Sequence, residues 1–416
     1  MHITSVEIEN IKSIQKLRWE VPAGQEAGWH VIIGDNGSGK TTFLRAVALA
    51  LVGGADAMRL PENWETWPRF GKESGKIRVE PSYVQKWAFE EQPIHLEISE
   101  GEVIEENKRE KVDGLFLADA LSRKYLPFSC SFGSFRRFTG GSAIQYHSDI
   151  DRHLSLFQLN AVLGNSPDWL KDLKFKQLES RPEGEILDDI QAFINQEDFL
   201  PYGVRMREVN SDEILFTDAG GCKVSVFDLS EGYRSILSLT FELLRQLTLE
   251  YRRIEPNHNI FLKDKFIQVD EPGVVLIDEV DAHLHPTWQR KIGQWFRKYF
   301  PNMQFIVTTH SPLICQAAEV GTVFRLPRPG TDETGRMIVD DELNRLVYGN
   351  VLDAYGTELF GKDVTSSDAS KAKRIRLAEL NRKELRKGLT AKERKEQDEL
   401  RTMLPTSAHT MNGGKG

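Results

Sequence analysis

Three short stretches of the chain are almost wholly apolar and have the length of strands. Trp29-His30-Val31-Ile32-Ile33, Gly273-Val274-Val275-Leu276-Ile277 and Gln304-Phe305-Ile306-Val307 do not alternate between apolar and polar positions. They read as strands covered on both faces, as in a parallel sheet flanked by helices. Helical spacing appears between them. Phe43, Leu44, Val47 and Leu51 fall on one side of residues 42–52, and Gly53-Gly54 ends that helix. Ile236, Leu239, Leu243, Leu244 and Leu247 recur behind Ser230, a good N-cap. Trp288, Ile292, Trp295, Phe296 and Tyr299 predict a helix over residues 286–299, with these positions in the core. The pattern predicts an α/β fold. No internal repeat is evident.

The junction between the first strand and the first helix carries chemistry. Gly34-Asp35-Asn36-Gly37-Ser38-Gly39-Lys40-Thr41 fits the phosphate-loop pattern G-x-x-x-x-G-K-[ST] at every fixed position. Glycines are needed because the loop must curl its N–H groups inward and a side chain would block the phosphates. The helix N-terminus adds positive potential, which draws anions. Asn36, Gly37, Ser38, Gly39, Lys40, Thr41 and Thr42 are therefore the candidate nucleotide-binding residues. Lys40 is expected on the β- and γ-phosphates and Thr41 on Mg²⁺, with ATP as the ligand.

Two further strand ends add polar groups. Asp278 and Glu279 close the run that begins at Gly273, which places them at the carboxyl end of the sheet, where nucleotides bind. Asp278 is the candidate magnesium ligand beside Thr41, and Glu279 the candidate general base. His310 follows Thr308-Thr309. It reads either as a hydrogen-bonded structural residue or as a donor to the γ-phosphate or attacking water. Leu229-Ser230-Glu231-Gly232 opens a capped helix whose N–H groups can bind an anion, so Ser230 and Gly232 join the candidate list.

In this order the motifs resemble those of ABC-type ATPases. The L-S-E-G element is similar to the family's signature sequence, with Glu231 where transporters have glycine and Tyr233 where they have glutamine. Asp281 matches the D-loop aspartate and His310 the switch histidine. Ile8-Glu9-Asn10-Ile11-Lys12-Ser13-Ile14 resembles the opening hairpin of the SMC and RecF group. Asp281-Ala282-His283-Leu284-His285-Pro286, Thr308-Thr309-His310-Ser311-Pro312 and Ser131-Phe132-Gly133-Ser134-Phe135-Arg136-Arg137-Phe138 resemble elements of a bacterial subset. That subset includes the overcoming-lysogenization-defect ATPases and the PtuA-like ATPases of anti-phage systems, and the latter are the nearer likeness.

The resemblance implies an ATPase head with a P-loop core sheet, an antiparallel β lobe and a helical lobe. It implies a homodimer or higher oligomer in which two heads enclose ATP, Ser230 and Gly232 reaching the partner's nucleotide. It also implies an HNH nuclease as effector and anti-phage defence as the role. The alternative is a RecF-like repair ATPase that binds DNA directly. The glutamine loop is not placed. Arg136 and Arg137 fit either an approach to the nucleotide or a neighbouring subunit, or a solvated pair between Phe135 and Phe138. His283 and His285 suggest local hydrogen bonding more than a metal site, since no third ligand is evident.

Composition narrows the class. The chain has 416 residues, 40% of them hydrophobic, enough for one large domain with an appendage or for two domains. No run approaches the ~18 apolar residues of a membrane span. The first residues lack the pattern of a signal peptide, and Cys130, Cys222 and Cys315 are isolated, expected to be small buried groups. A cytoplasmic protein is expected. The net charge of -8 gives no global attraction to nucleic acid. An ATPase head over residues 1–345, with a compact insert at 55–225, and a C-terminal helical segment over 346–416 are expected. The insert is too short for a long coiled coil. Trp64, Trp67 and Trp87 in it are expected in the core or on a contact surface. The C-terminal segment reads as two helices separated by Gly388, the second opened by a capping box at Thr390-Ala391-Lys392-Glu393. Lys371, Lys373, Arg374, Arg376, Arg382, Lys383, Arg386 and Lys387 make the first helix basic. It suits phosphates, an acidic partner or simply solvent.

Overall fold

The computed structural model describes residues 1–82, 93–105, 128–135, 138, 149–158, 165–331, 333–349, 359 and 368–404. Trp87, Arg136 and Arg137 lie outside them. The strands are β1 (His2–Ile11), β2 (Ile14–Glu20), β3 (Trp29–Ile33), β4 (Ser74–Ser82), β5 (Ile94–Ser99), β6 (Glu102–Glu105), β7 (Phe128–Phe132) and β8 (Arg205–Val209). There follow β9 (Ile214–Thr217), β10 (Lys223–Ser225), β11 (Phe261–Lys263), β12 (Ile267–Val269), β13 (Gly273–Ile277), β14 (Met303–Thr309), β15 (Gly321–Arg325) and β16 (Arg336–Ile338).

The apolar runs meet in a six-stranded sheet ordered β16-β15-β3-β14-β13-β7. Its strands are parallel except β16, and β3, β13, β14 and β7 are buried at every position. Parallel pairing puts the ends of β3, β13 and β14 on one edge, so the phosphate loop, Asp278-Glu279 and His310 emerge together. A second, antiparallel sheet is ordered β2-β1-β4-β5-β6. The helix Lys40–Val52 is shared between the two sheets. Its Phe43, Ala46 and Val47 join one core with Ile8, Ile77 and Leu96 of the antiparallel sheet and Ile32, Leu276 and Ile306 of the parallel one. Trp19 and Trp67 are fully buried in that core, each contributing roughly 2 kcal/mol or more of hydrophobic stabilisation. The helices Asn165–Leu178, Ile186–Ile194 and Glu231–Ile254 supply the helical lobe.

Two expectations are corrected. The helix over 286–299 is two pieces, Pro286–Gln289 and Ile292–Tyr299, interrupted by a turn at Arg290–Lys291. Only the second piece is core; it buries Ile292, Trp295, Phe296 and Tyr299, whereas Trp288 is half-buried. Gln289 uses its side chain on the preceding loop, as described below. Within the stretch between the phosphate loop and the signature, β7 completes the parallel sheet beside β13. Cys222 is exposed, unlike Cys130 and Cys315, because it sits in the tight turn between β9 and β10.

The chain divides into two compact units, Met1–Ala354 and Tyr355–Gly416. In the second, the helices Asp368–Lys387 and Ala391–Met403 bury Leu377, Leu380 and Leu400 against each other. Gly388 takes φ 75°, and the Thr390–Glu393 capping box forms in both directions. Part of the basic helix is neutralised internally: Arg376 pairs with Glu396 and Lys383 with Glu393. Among the described residues, no helix is long and apolar enough to cross a membrane.

Among the described residues, two histidines, His30 and His153, are fully buried. Burial pulls His30 down to about 4 and His153 down to about 3, with the neighbouring Arg152 adding to the second. The folded chain therefore resists protons that the unfolded chain, with histidine near 6.5, accepts. Stability is intact above that value and is lost as pH falls toward 4, at about 1.4 kcal/mol per unit of gap. The thermal midpoint is expected to drop steadily between pH 6.5 and 4. His153→Gln, whose amide still reaches Ser129, is expected to soften that drop, and a level midpoint across the window would contradict the assignment.

Candidate nucleotide site

The phosphate loop is built by backbone geometry that its sequence demands. Gly37 and Gly39 take φ 79° and φ 99°, which side chains rarely adopt, and Gly39 is the N-cap of the helix that follows. A Cβ at Gly39 would also lie 2.8 Å from Ser13 Oγ, because the β1–β2 turn packs directly on the loop. Lys40 is buried and donates to the carbonyl oxygens of Gly34 at 2.8 Å and Asp35 at 3.1 Å. Burial lowers its ammonium below the ordinary lysine range, while Asp278, Glu279, Asp35 and Asp281 oppose that shift. Asn36 and Gly37 are exposed, and Thr42 is half-buried at the first helical turn.

The two candidate magnesium ligands touch. Thr41 Oγ1 donates to Asp278 Oδ2 at 2.8 Å. The other oxygen, Asp278 Oδ1, accepts from Thr308 Oγ1 at 2.6 Å. Thr308 Oγ1 in turn accepts from the backbone N–H of Glu279 at 2.8 Å. One hydroxyl on β14 thus fixes both acidic positions at the end of β13. Glu279 is half-buried and held at φ 47°, a left-handed conformation unusual for glutamate and worth about 1–2 kcal/mol of strain. His310 is exposed, just past the end of β14.

Thr308 and Thr309 stand side by side in one sequence motif, yet their separate roles are not legible there. Strand alternation sends them opposite ways. Thr308 serves Asp278, and Thr309 Oγ1 donates to Asp281 Oδ1 at 2.5 Å. Both D-loop and acidic pair are therefore tied to β14.

Ser230 and Gly232 stand apart from this cluster. Ser230 occupies the N-cap position of the helix Glu231–Ile254, but its exposed hydroxyl makes no capping hydrogen bond. Glu231 meets His283 Nδ1 at 3.3 Å. A Cβ at Gly232 would sit 3.5 Å from His283 O, an ordinary contact, so packing within this chain does not require glycine there. His285 accepts from Thr287 N–H and caps the helix Pro286–Gln289, as local hydrogen bonding predicts. Among the described residues, no group of three or more His, Cys, Asp and Glu side chains could hold a metal ion.

The residues suit a nucleotide. Ser38 Oγ is buried in the loop with no hydrogen-bond partner, a group that a bound phosphate would satisfy. Lys40 is parked on loop carbonyls, and Thr41 and Asp278 already converge. Two family models match the chain. One, described as "AAA domain, putative AbiEii toxin, Type IV TA system", matches residues 131–316, and one described as "AAA domain" matches residues 5–196. Together the two models span residues 5–316, and the chain is similar to AAA/ABC-type ATPases. An AAA domain implies nucleotide binding. It is 28% identical over 320 residues to Septu protein PtuA of Bacillus mycoides (strain KBAB4), covering 75% of this chain and 38% of that protein. It is 38% identical over 128 residues to the Retron Ec83 probable ATPase of Escherichia coli, covering 31% of this chain and 22% of that one. The match therefore spans well under half the length of these curated relatives. The SMC head domain from Thermotoga maritima aligns with a TM-score of 0.45 at 16% identity, over 82% of this chain and 100% of that one.

Proposed function

We propose that this ATPase is a switch: two heads close around two ATP molecules, hydrolyse them slowly with Mg²⁺, and so control a separate effector. One observation carries the reading. The chain holds two half-sites, a phosphate loop with its acidic pair and, apart from it, a helix start whose exposed serine caps nothing and whose glycine its own packing does not need. A helix tip left open in this way suits an anion brought by a second copy. The similarity to PtuA and the retron ATPase supports anti-phage defence as the setting, and the resemblance to PtuA-like ATPases implies an HNH nuclease as effector.

Magnesium-bound ATP supplies a reactive phosphoanhydride whose charge the metal partly neutralises. The chain's residues do the rest. The loop N–H groups from Gly37 to Thr42 bind phosphate oxygens. Lys40 exchanges its two carbonyls for phosphate. Thr41 and Asp278 would offer their oxygens to Mg²⁺, Glu279 would accept a proton from the attacking water, and His310 would donate toward the phosphate end. The direct DNA-binding reading draws less support, since Arg376 and Lys383 of the basic helix are spent on glutamates.

Ser230→Arg tests the sandwich. It places a bulky cation on the open helix tip without touching the phosphate loop. ATP binding to the single chain is expected to persist, while Mg-ATP no longer shifts gel-filtration elution and turnover falls at least about tenfold. A variant that still dimerises and hydrolyses normally would end the proposal. Affinity capture after co-expression with a candidate HNH nuclease tests the effector separately.

A further inference from the structure

We propose that Gln289 is a positioning residue that couples the turn carrying His310 to the D-loop, and through His283 to the start of the signature helix. The inference rests on the switch reading given above. Gln289 ends the short helix Pro286–Gln289 and turns its amide back on the loop. Its Nε2 donates to Leu284 O at 2.9 Å and, more weakly, to Asp281 O at 3.4 Å. Its Oε1 accepts from Ser311 Oγ at 2.7 Å. Ser311 adjoins His310 and is itself set by Thr309, whose Oγ1 accepts from Ser311 N–H at 2.9 Å and donates to Asp281. Two bonds, Thr309–Asp281 and Ser311–Gln289, therefore close the D-loop onto the turn that presents the histidine.

The segment clamped in this way is not relaxed. Glu279 at its start and His283 near its end both take left-handed φ, 47° and 65°, and neither is glycine. Such a backbone persists only where its surroundings hold it, and strain of this kind suits an element with two settings. The far end of the segment carries the link onward. His283 Nδ1 meets Glu231 Oε1 at 3.3 Å, and its carbonyl faces Gly232. Glu231 stands where the transporter signature has glycine, and its carboxylate gives the D-loop a handle on the signature helix. Among uncharged side chains only the carboxamides, glutamine and the shorter asparagine, can donate to two carbonyls and accept from a hydroxyl at once.

The consequence follows from where each end works. His310 attends the nucleotide of its own chain, whereas Ser230 attends that of the partner. A clamp joining them within one chain makes occupancy at one site bias the other, which is a coupling free energy between sites. Gln289 touches no nucleotide in this scheme and acts only by setting the loop.

Gln289→Glu keeps the size and the acceptor but cannot donate to Leu284 O and Asp281 O once ionised. It is expected to lower kcat at least about tenfold while the dissociation constant for ATP changes less than about threefold. The ATP dependence of turnover is expected to go from sigmoidal in the parent to hyperbolic in the variant. Ser311→Ala is expected to reproduce both effects, and Ser311→Thr, which keeps the hydroxyl, to restore them. The Gln289→Glu/Ser311→Ala double variant is expected to be no worse than either single one. A variant with parental kcat and the parental curve shape would overturn the coupling, as would singles whose losses multiply. If Gln289→Glu fails to fold, the Ser311 pair decides alone. A parent chain that neither binds nor hydrolyses ATP would instead refute the switch reading.

Discussion

Glu279→Gln is expected to slow ATP turnover by about 100-fold or more and to leave the protein as nucleotide-loaded pairs in gel filtration. General-base catalysis supplies roughly 10²–10⁴ in rate, and the amide removes it without altering size. The backbone at 279 is held by its N–H on Thr308 Oγ1, an anchor independent of the side chain. Asp278 keeps its side-chain hydrogen bonds to Thr41 and Thr308, so the metal position is undisturbed. Binding and closure then proceed while the step that reopens the pair does not. Phosphate release and elution volume with Mg-ATP measure the two halves of this expectation. Turnover within about tenfold of the parent, or elution unchanged by ATP, would remove Glu279 from the role of base.

The site was legible in sequence where its signals are local. A phosphate loop is a contiguous run, and its glycines report backbone angles that few other residues tolerate; Gly37 and Gly39 take those angles. Buried strands were legible from unbroken apolar runs, and the capping box at Thr390 from its own spacing. Pairing across long separations was not. Nothing in Phe128–Phe132 says that it lies beside Gly273–Ile277, because both are simply apolar and any buried strand would do. Thr308 and Thr309 differ in function only because a strand sends neighbours to opposite faces and because β14 lies between β3 and β13. Gln289 was hidden for another reason. Periodicity made residues 286–299 one core helix, and a polar position on such a helix carries no distinguishing mark. Ser230 looked like a helix cap, which is the commonest use of serine there, and the structure leaves its hydroxyl uncommitted.

Lys40→Ala is expected to weaken ATP binding by at least about 100-fold, close to 3 kcal/mol. The size of the effect comes from what surrounds the ammonium. Lys40 faces the fields of Asp278, Glu279, Asp35 and Asp281, and it is the buried cation among them at the loop. Without it, a triphosphate would approach a loop edged by carboxylates, and repulsion would replace attraction. The carbonyls of Gly34 and Asp35 would also lose a donor. Arginine is a poor substitute because its planar fork is larger and needs room that a buried loop lacks. Lys40→Arg is therefore expected to bind nearly as weakly as Lys40→Ala. Equilibrium titration with a fluorescent ATP analogue measures both, with thermal unfolding as the check on folding. Binding of Lys40→Ala within about threefold of the parent would mean that the phosphates lie elsewhere, and with them the whole assignment of the edge formed by β3, β13 and β14.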